Sequence, residues 1–139
     1  MYSENKKYMS FFDEYEAEIA PRLRRIDTML RHSNSFTPAE IARAIGISPD
    51  EAFTIIGDCV ITARLNRDGF FSLLRRGSSK LCRMLNRELE CGSPTDYDPR
   101  QIAYIYELDA SEVERAFGKM SADVIPSRCL PALFRHISA

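Results

Sequence analysis

The stretch that most constrains this chain is Thr37–Ile56, TPAEIARAIGISPDEAFTII. Its punctuation admits two short helices joined by a very tight turn and little else. Thr37 is placed to cap a first helix, with Pro38 at its first position and Glu40 able to reach back, the reciprocal pattern of a capping box. Ser48, Pro49 and Glu51 give a second helix the same grammar. Between them Gly46 supplies a left-handed residue that ends the first helix. Ile41, Ala42, Ile45, Ile47, Ala52 and Ile55 fall where two crossing helices bury side chains, and the small Ala42 admits a close approach.

The pattern occurs a second time. Residues 97–117, YDPRQIAYIYELDASEVERAF, align with 36–56 without a gap. Pro38, Ile41, Ala42 and Glu51 match Pro99, Ile102, Ala103 and Glu112, while Phe36, Ile47 and Ser48 match Tyr97, Leu108 and Asp109. Both caps recur, Asp98 with Gln101 and Asp109 with Glu112. Glu107 stands where Gly46 stands, so the second turn either strains a non-glycine residue or takes another shape. The two stretches are an internal repeat, or two capped hairpins made alike by capping physics alone.

An apolar residue and Ala, then Gly four residues after the Ala, then apolar positions in a second helix: on these residues 37–56 resembles the helix-turn-helix superfamily, with 98–117 a weaker copy. The resemblance implies an all-α, multi-helix domain built on two similar hairpins. Its obvious function is binding double-stranded DNA as a transcriptional regulator. Many functions share this architecture, so surface chemistry must decide. Two short capped helices also resemble the LysM carbohydrate-binding module, but no flanking strands and no secretion signal are readable here.

A chain of 139 residues, 45% hydrophobic and 28% charged, is long enough to bury a core. Its net charge of −1 gives no global pull toward a polyanion or an anionic membrane. Cys59, Cys82, Cys91 and Cys129 form no C-x-x-C pair, and His32 and His136 lie far from them in sequence. No metal site or cofactor is expected. The N-terminal residues lack the apolar core of a signal peptide, and no run is long enough to span a bilayer. A cytoplasmic protein with reduced thiols is the expectation.

Residues 1–7 read as a polar, frayed end. From Tyr8 a helical stripe (Phe12, Tyr15, Ile19, Leu23, Ile26, Leu30) keeps phase across Pro21, as one kinked helix or two collinear pieces. The helix from Pro49 is expected to run on through Cys59, Val60 and Ala63 to about Arg64, with a turn at Arg67-Asp68-Gly69. Residues 70–74, FFSLL, are either a helical plug or a strand of a small wing near 70–80. Ser78 or Ser79 caps a helix closed by Gly92, and a short helix follows Pro131. Three stretches result: an N-terminal segment at 1–34, a helix-turn-helix half with a basic segment at 35–92, and a second half with the tail at 93–139.

The surface of the Pro49 helix is poor in base readers. Pro49, Asp50, Phe53, Thr54 and Gly57 face outward, and none is Arg, Lys, Asn or Gln. Ser48 and Thr54 are its candidate DNA-facing groups. Downstream, Arg64, Arg67, Arg75, Arg76, Lys80, Arg83 and Arg87 crowd one stretch, opposed there chiefly by Asp68, and the first six are the candidate phosphate contacts. Arg75, Arg76 and Lys80 could surround the first amides of the next helix as an anion site. The other reading of these charges is a solvated face. The second hairpin is acidic and carries Tyr97, Tyr104 and Tyr106, which suit a protein partner or cover the core. One basic and one acidic hairpin fit a homodimeric regulator with a nucleic-acid half and a partner half. The alternative is a protein interaction module that keeps the shape without DNA. No hydrolase, metalloprotease, phosphate-loop or dinucleotide motif is present, so no catalytic residue is assigned.

Overall fold

The computed structural model describes residues 8–57 and 64–139. In chain order its helices are α1 (Phe11–Glu14), α2 (Ala20–His32), α3 (Pro38–Ile45), α4 (Pro49–Ile56), α5 (Arg67–Arg76), α6 (Lys80–Glu90), α7 (Pro99–Tyr106), α8 (Ala110–Lys119) and α9 (Leu130–Phe134). β1 (Asp96–Tyr97) and β2 (Ile125–Pro126) form one antiparallel pair. Apart from that pair and two isolated bridges, the described residues are all-α. The strands flanking α7–α8 that the sequence did not reveal therefore exist, at two residues each.

A π-helical turn, Tyr15–Ile19, connects α1 to α2. The Ala20 amide donates to the Tyr15 carbonyl, five residues back. Pro21, with no N–H to donate, follows immediately, so the irregularity absorbs the proline without ending the helix.

The chain divides into two compact units, a central one of residues 21–86 and a terminal one of residues 1–20 with 87–139. This division differs from the consecutive stretches 1–34, 35–92 and 93–139. The reason is that the N-terminal aromatics pack with the tail. The Phe11 amide donates to the Ile137 carbonyl at 2.7 Å, and the Phe11 ring meets Phe134 edge-on at 4.8 Å.

In the central unit, α3 and α4 form the hairpin its caps dictate. The Thr37 hydroxyl accepts from the Glu40 amide at 3.1 Å and the Glu40 carboxylate from the Thr37 amide at 2.8 Å. Gly46 closes α3 at φ 84°. Ile41, Ala42, Ile45 and Ala52 are buried. Phe36, just ahead of the cap, exchanges two backbone hydrogen bonds with Leu65 and sets its ring edge-on to Phe70 at 5.2 Å.

Two expectations here are corrected. The helix from Pro49 ends at Ile56, where Gly57 at φ 91° turns the chain out of helical geometry. Its continuation through Cys59, Val60 and Ala63 lies outside the described residues, as does the frayed end at 1–7. Arg67-Asp68-Gly69 is not a turn but the first turn of α5, because the Asn66 side chain accepts from the Gly69 amide at 3.0 Å and starts a helix there. The wing is thereby excluded: residues 70–76 are helix, with Phe70, Leu73 and Leu74 buried. After α5 the chain turns at Gly77, where a Cβ would lie 2.7 Å from the Cys82 sulfur.

In the terminal unit Asp98 and Gln101 form the second capping box, at 2.9 and 3.0 Å. The turn between α7 and α8 keeps the left-handed shape, with Glu107 at φ 55°. Tyr97 pairs with Ile125 as Phe36 pairs with Leu65. Leu130, Leu133 and Phe134 of α9 are buried against this frame.

Candidate nucleic-acid interface

The central hairpin's turn is tied down from outside. The Arg22 guanidinium donates to the Arg43 and Ala44 carbonyls at 3.0 and 3.5 Å, and the Ser79 hydroxyl to the Ile45 carbonyl at 2.6 Å. These are carbonyls that the end of a helix leaves without intrahelical partners. The Thr37 amide also holds the Glu40 carboxyl below its ordinary value.

The two candidate DNA-facing groups on α4 are engaged within their own helix. The Ser48 hydroxyl accepts from the Glu51 amide at 3.0 Å, and the Thr54 hydroxyl donates to the Asp50 carbonyl at 2.9 Å. Glu51 accepts from the Ser78 amide at 2.7 Å and from the Ser78 hydroxyl at 2.8 Å. Ser79 supplies the cap of α6, accepting from the Cys82 amide at 3.0 Å. Glu51 thus occupies the Ser78 amide just ahead of the α6 cap, and the Ser79 hydroxyl occupies the Cys82 amide within the first turn.

The basic candidates separate into two kinds. Arg64 donates twice to Ser35, at 2.6 and 3.0 Å, and lies 4.0 Å from Glu40. Arg67 donates to the Leu30 carbonyl at 2.7 Å, in the last turn of α2, and Arg83 to the Ser78 carbonyl at 2.9 Å. These arginines brace loops and helix ends while remaining exposed. Lys80 is exposed as well. Arg75 and Arg76, in the last turn of α5, are exposed and have no side-chain partner among the described residues. Arg87 belongs to the terminal unit, where it donates to the Ile105 carbonyl at 3.0 Å and lies 3.5 Å from Glu107.

The units differ sharply in charge. Residues 21–86 carry eleven Lys and Arg against six Asp and Glu, net +5; the terminal unit carries eight against fourteen, net −6. A near-neutral chain therefore holds one basic and one acidic unit.

Of the three candidate partner tyrosines, only Tyr104 is exposed, at 49%, with its hydroxyl bonded to Glu90. Tyr97 is buried and donates to Glu88, and burial is the largest cause of its raised pKa. Tyr106 is buried in a cluster with Phe11, Tyr15 and Phe134, and desolvation pushes its pKa up strongly. Sequence reasoning missed the Glu112–Ser138 clamp, in which Glu112 accepts from the Ser138 amide at 2.7 Å and from its hydroxyl. These bonds hold the Glu112 carboxyl below its ordinary value. The available signal was the alignment itself, since with a one-residue gap it extends from Ser78 to Ser138.

Among the described residues no His, Cys, Asp and Glu side chains gather as a metal site, and no helix is long and apolar enough to cross a membrane. Comparison of the chain with family models, curated proteins and solved structures finds no match.

Proposed function

We propose that the chain is a DNA-associated regulator of helix-turn-helix type whose central unit holds double-stranded DNA by its phosphates. The observation that carries this reading is the net +5 of residues 21–86, with Arg75 and Arg76 exposed and without a side-chain partner among the described residues. A polyanion releases counterions when such groups approach, so affinity comes without base contacts. The acidic start of α4 and the internal engagement of Ser48 and Thr54 favour contact through α5 and its surroundings over base reading by α4. The internal repeat belongs to this reading, one copy basic and one acidic, as does a homodimer, which sedimentation would test.

The experiment is binding to mixed-sequence duplex DNA over a salt series. Affinity is expected to fall steeply with salt, and Arg75→Ala with Arg76→Ala to weaken binding and flatten the slope by about two units. Absence of binding at low salt would defeat the reading. A second reading, a protein interaction module without DNA, has its own support in exposed Tyr104 and Leu89 on the acidic unit.

A further inference from the structure

The outer face of α5 carries Arg67, Phe71 and Arg75, each four residues from the next and all exposed. Four residues exceed one helical turn only slightly, so the three side chains form one row along the helix. Arg76, like Arg75 without a side-chain partner among the described residues, adds a second cation beside the row's end. Phe71 is 41% exposed, whereas its neighbour Phe70 is fully buried and backs it, ring centroids 6.1 Å apart. Phe70 fills the core, while Phe71 packs on it and leaves part of its ring outside. A single exposed aromatic needs no explanation by itself. One set between arginines a turn away on either side has the makeup of a stacking platform on a cationic track. Arg67 uses one of its five N–H groups on the Leu30 carbonyl and keeps the others.

We propose that this face takes single-stranded nucleic acid, Phe71 stacking on an unpaired base while Arg67, Arg75 and Arg76 meet the flanking phosphates. The proposal rests on the reading that the central unit meets nucleic-acid phosphates, and it adds that the α5 face also takes a strand whose bases are unpaired. A duplex hides the faces of its bases, so an exposed ring gains from a nucleic acid chiefly where a base is unstacked. Stacking is also tolerant of sequence, in keeping with an α4 surface that carries no base-reading side chain.

The chain contains no Trp, so Phe71→Trp creates a single fluorescent reporter at the site. It would be titrated at low salt with a homothymidine oligomer and with a hairpin duplex. Saturable quenching by the oligomer and little by the duplex is the expected result. Phe71→Leu is expected to lower oligomer affinity roughly tenfold, more than it lowers duplex affinity. Unchanged emission while both nucleic acids bind would overturn the stacking proposal and leave the phosphate reading standing. Equal losses for oligomer and duplex in Phe71→Leu would overturn it too. If neither nucleic acid binds, both readings fall.

Discussion

The α3–α4 and α7–α8 hairpins solve the same local problems with different residues. Each opens with a reciprocal capping box, Thr37 with Glu40 and Asp98 with Gln101. Each follows an aromatic residue whose backbone pairs with the chain beyond the second helix, Phe36 with Leu65 and Tyr97 with Ile125. Each borrows an arginine from the helix ahead of it to satisfy carbonyls at the turn, Arg22 in one and Arg87 in the other. In each, a glutamate near the start of the second helix clamps a distant serine, Glu51 with Ser78 and Glu112 with Ser138. The turns and the surfaces differ. Gly46 meets the left-handed turn without strain, whereas Glu107 adopts it with a side chain and lies close to Arg87. The lesson is that caps, turn and clamp maintain the frame, and charge varies freely around it. The units that hold these two hairpins carry net +5 and net −6.

The comparison breaks most readily in the core. Phe134 of α9 is fully buried, with ring centroids of Phe11, Tyr15 and Tyr106 at 4.8, 5.0 and 5.0 Å. Its counterpart on α5, Leu74, is also buried. Phe134→Ala is expected to cost about 3–5 kcal/mol in urea unfolding, at or above the cost of Leu74→Ala, because edge-on ring contacts are lost with the buried volume. Equal or smaller loss for Phe134→Ala would mean that the aromatic cluster contributes nothing beyond its size.

Exchanging the turn residues has a smaller effect and sharpens the comparison. Gly46→Glu forces a side chain into the left-handed region, costing about 1–2 kcal/mol. A Cβ there would lie 3.5 Å from the Arg22 guanidinium, so an ion pair like that of Glu107 with Arg87 can offset part of the cost. The reverse change, Glu107→Gly, relieves strain but loses the ion pair and loosens the unfolded chain, so its net effect is expected within about 0.5 kcal/mol of zero. Thermal melts of both variants would measure this asymmetry. A large gain from Glu107→Gly would show that the Arg87 contact does not compensate the strain.

Much of the frame was legible because it is local. Caps, turn glycine and apolar spacing act over three to eight residues, and α3, α4, α7 and α8 follow from them directly. What escaped notice acts over distance or was ambiguous at short length. Arg22 reaches carbonyls 21 and 22 residues away, and Glu51 reaches a serine 27 residues away. No periodicity announces such contacts. Residues 70–74 were too short to distinguish helix from strand, and the deciding group was the Asn66 cap, hidden among residues that read as a turn. Tyrosines suit interfaces, yet tertiary packing took Tyr97 and Tyr106 inward and left Tyr104 outside. At the candidate site, the basic residues were visible in the sequence. Which of them were already engaged was not, because their partners are mostly backbone carbonyls of other elements.

The smallest expected effect separates the hairpins by acid. The first capping box uses a titratable Glu40, and the second uses Gln101 at the same place, which does not titrate. Glu40 is held below the ordinary carboxyl value of 4.5 by the Thr37 amide, and Glu112 by Ser138. A lowered folded value means that each contributes stability above the unfolded value and loses it as pH falls through the folded one. Acidification below about 4.5 should therefore loosen the Thr37 cap and the Ser138 clamp. The box around Gln101 lacks that glutamate titration. Amide NMR shifts followed through an acid titration would report each site separately. Glu40→Gln is expected to remove the acid step at the Thr37 amide, leaving an uncharged amide side chain there as at Gln101, while the step at Ser138 persists. A Thr37 step that survives Glu40→Gln would mean that another group governs the cap.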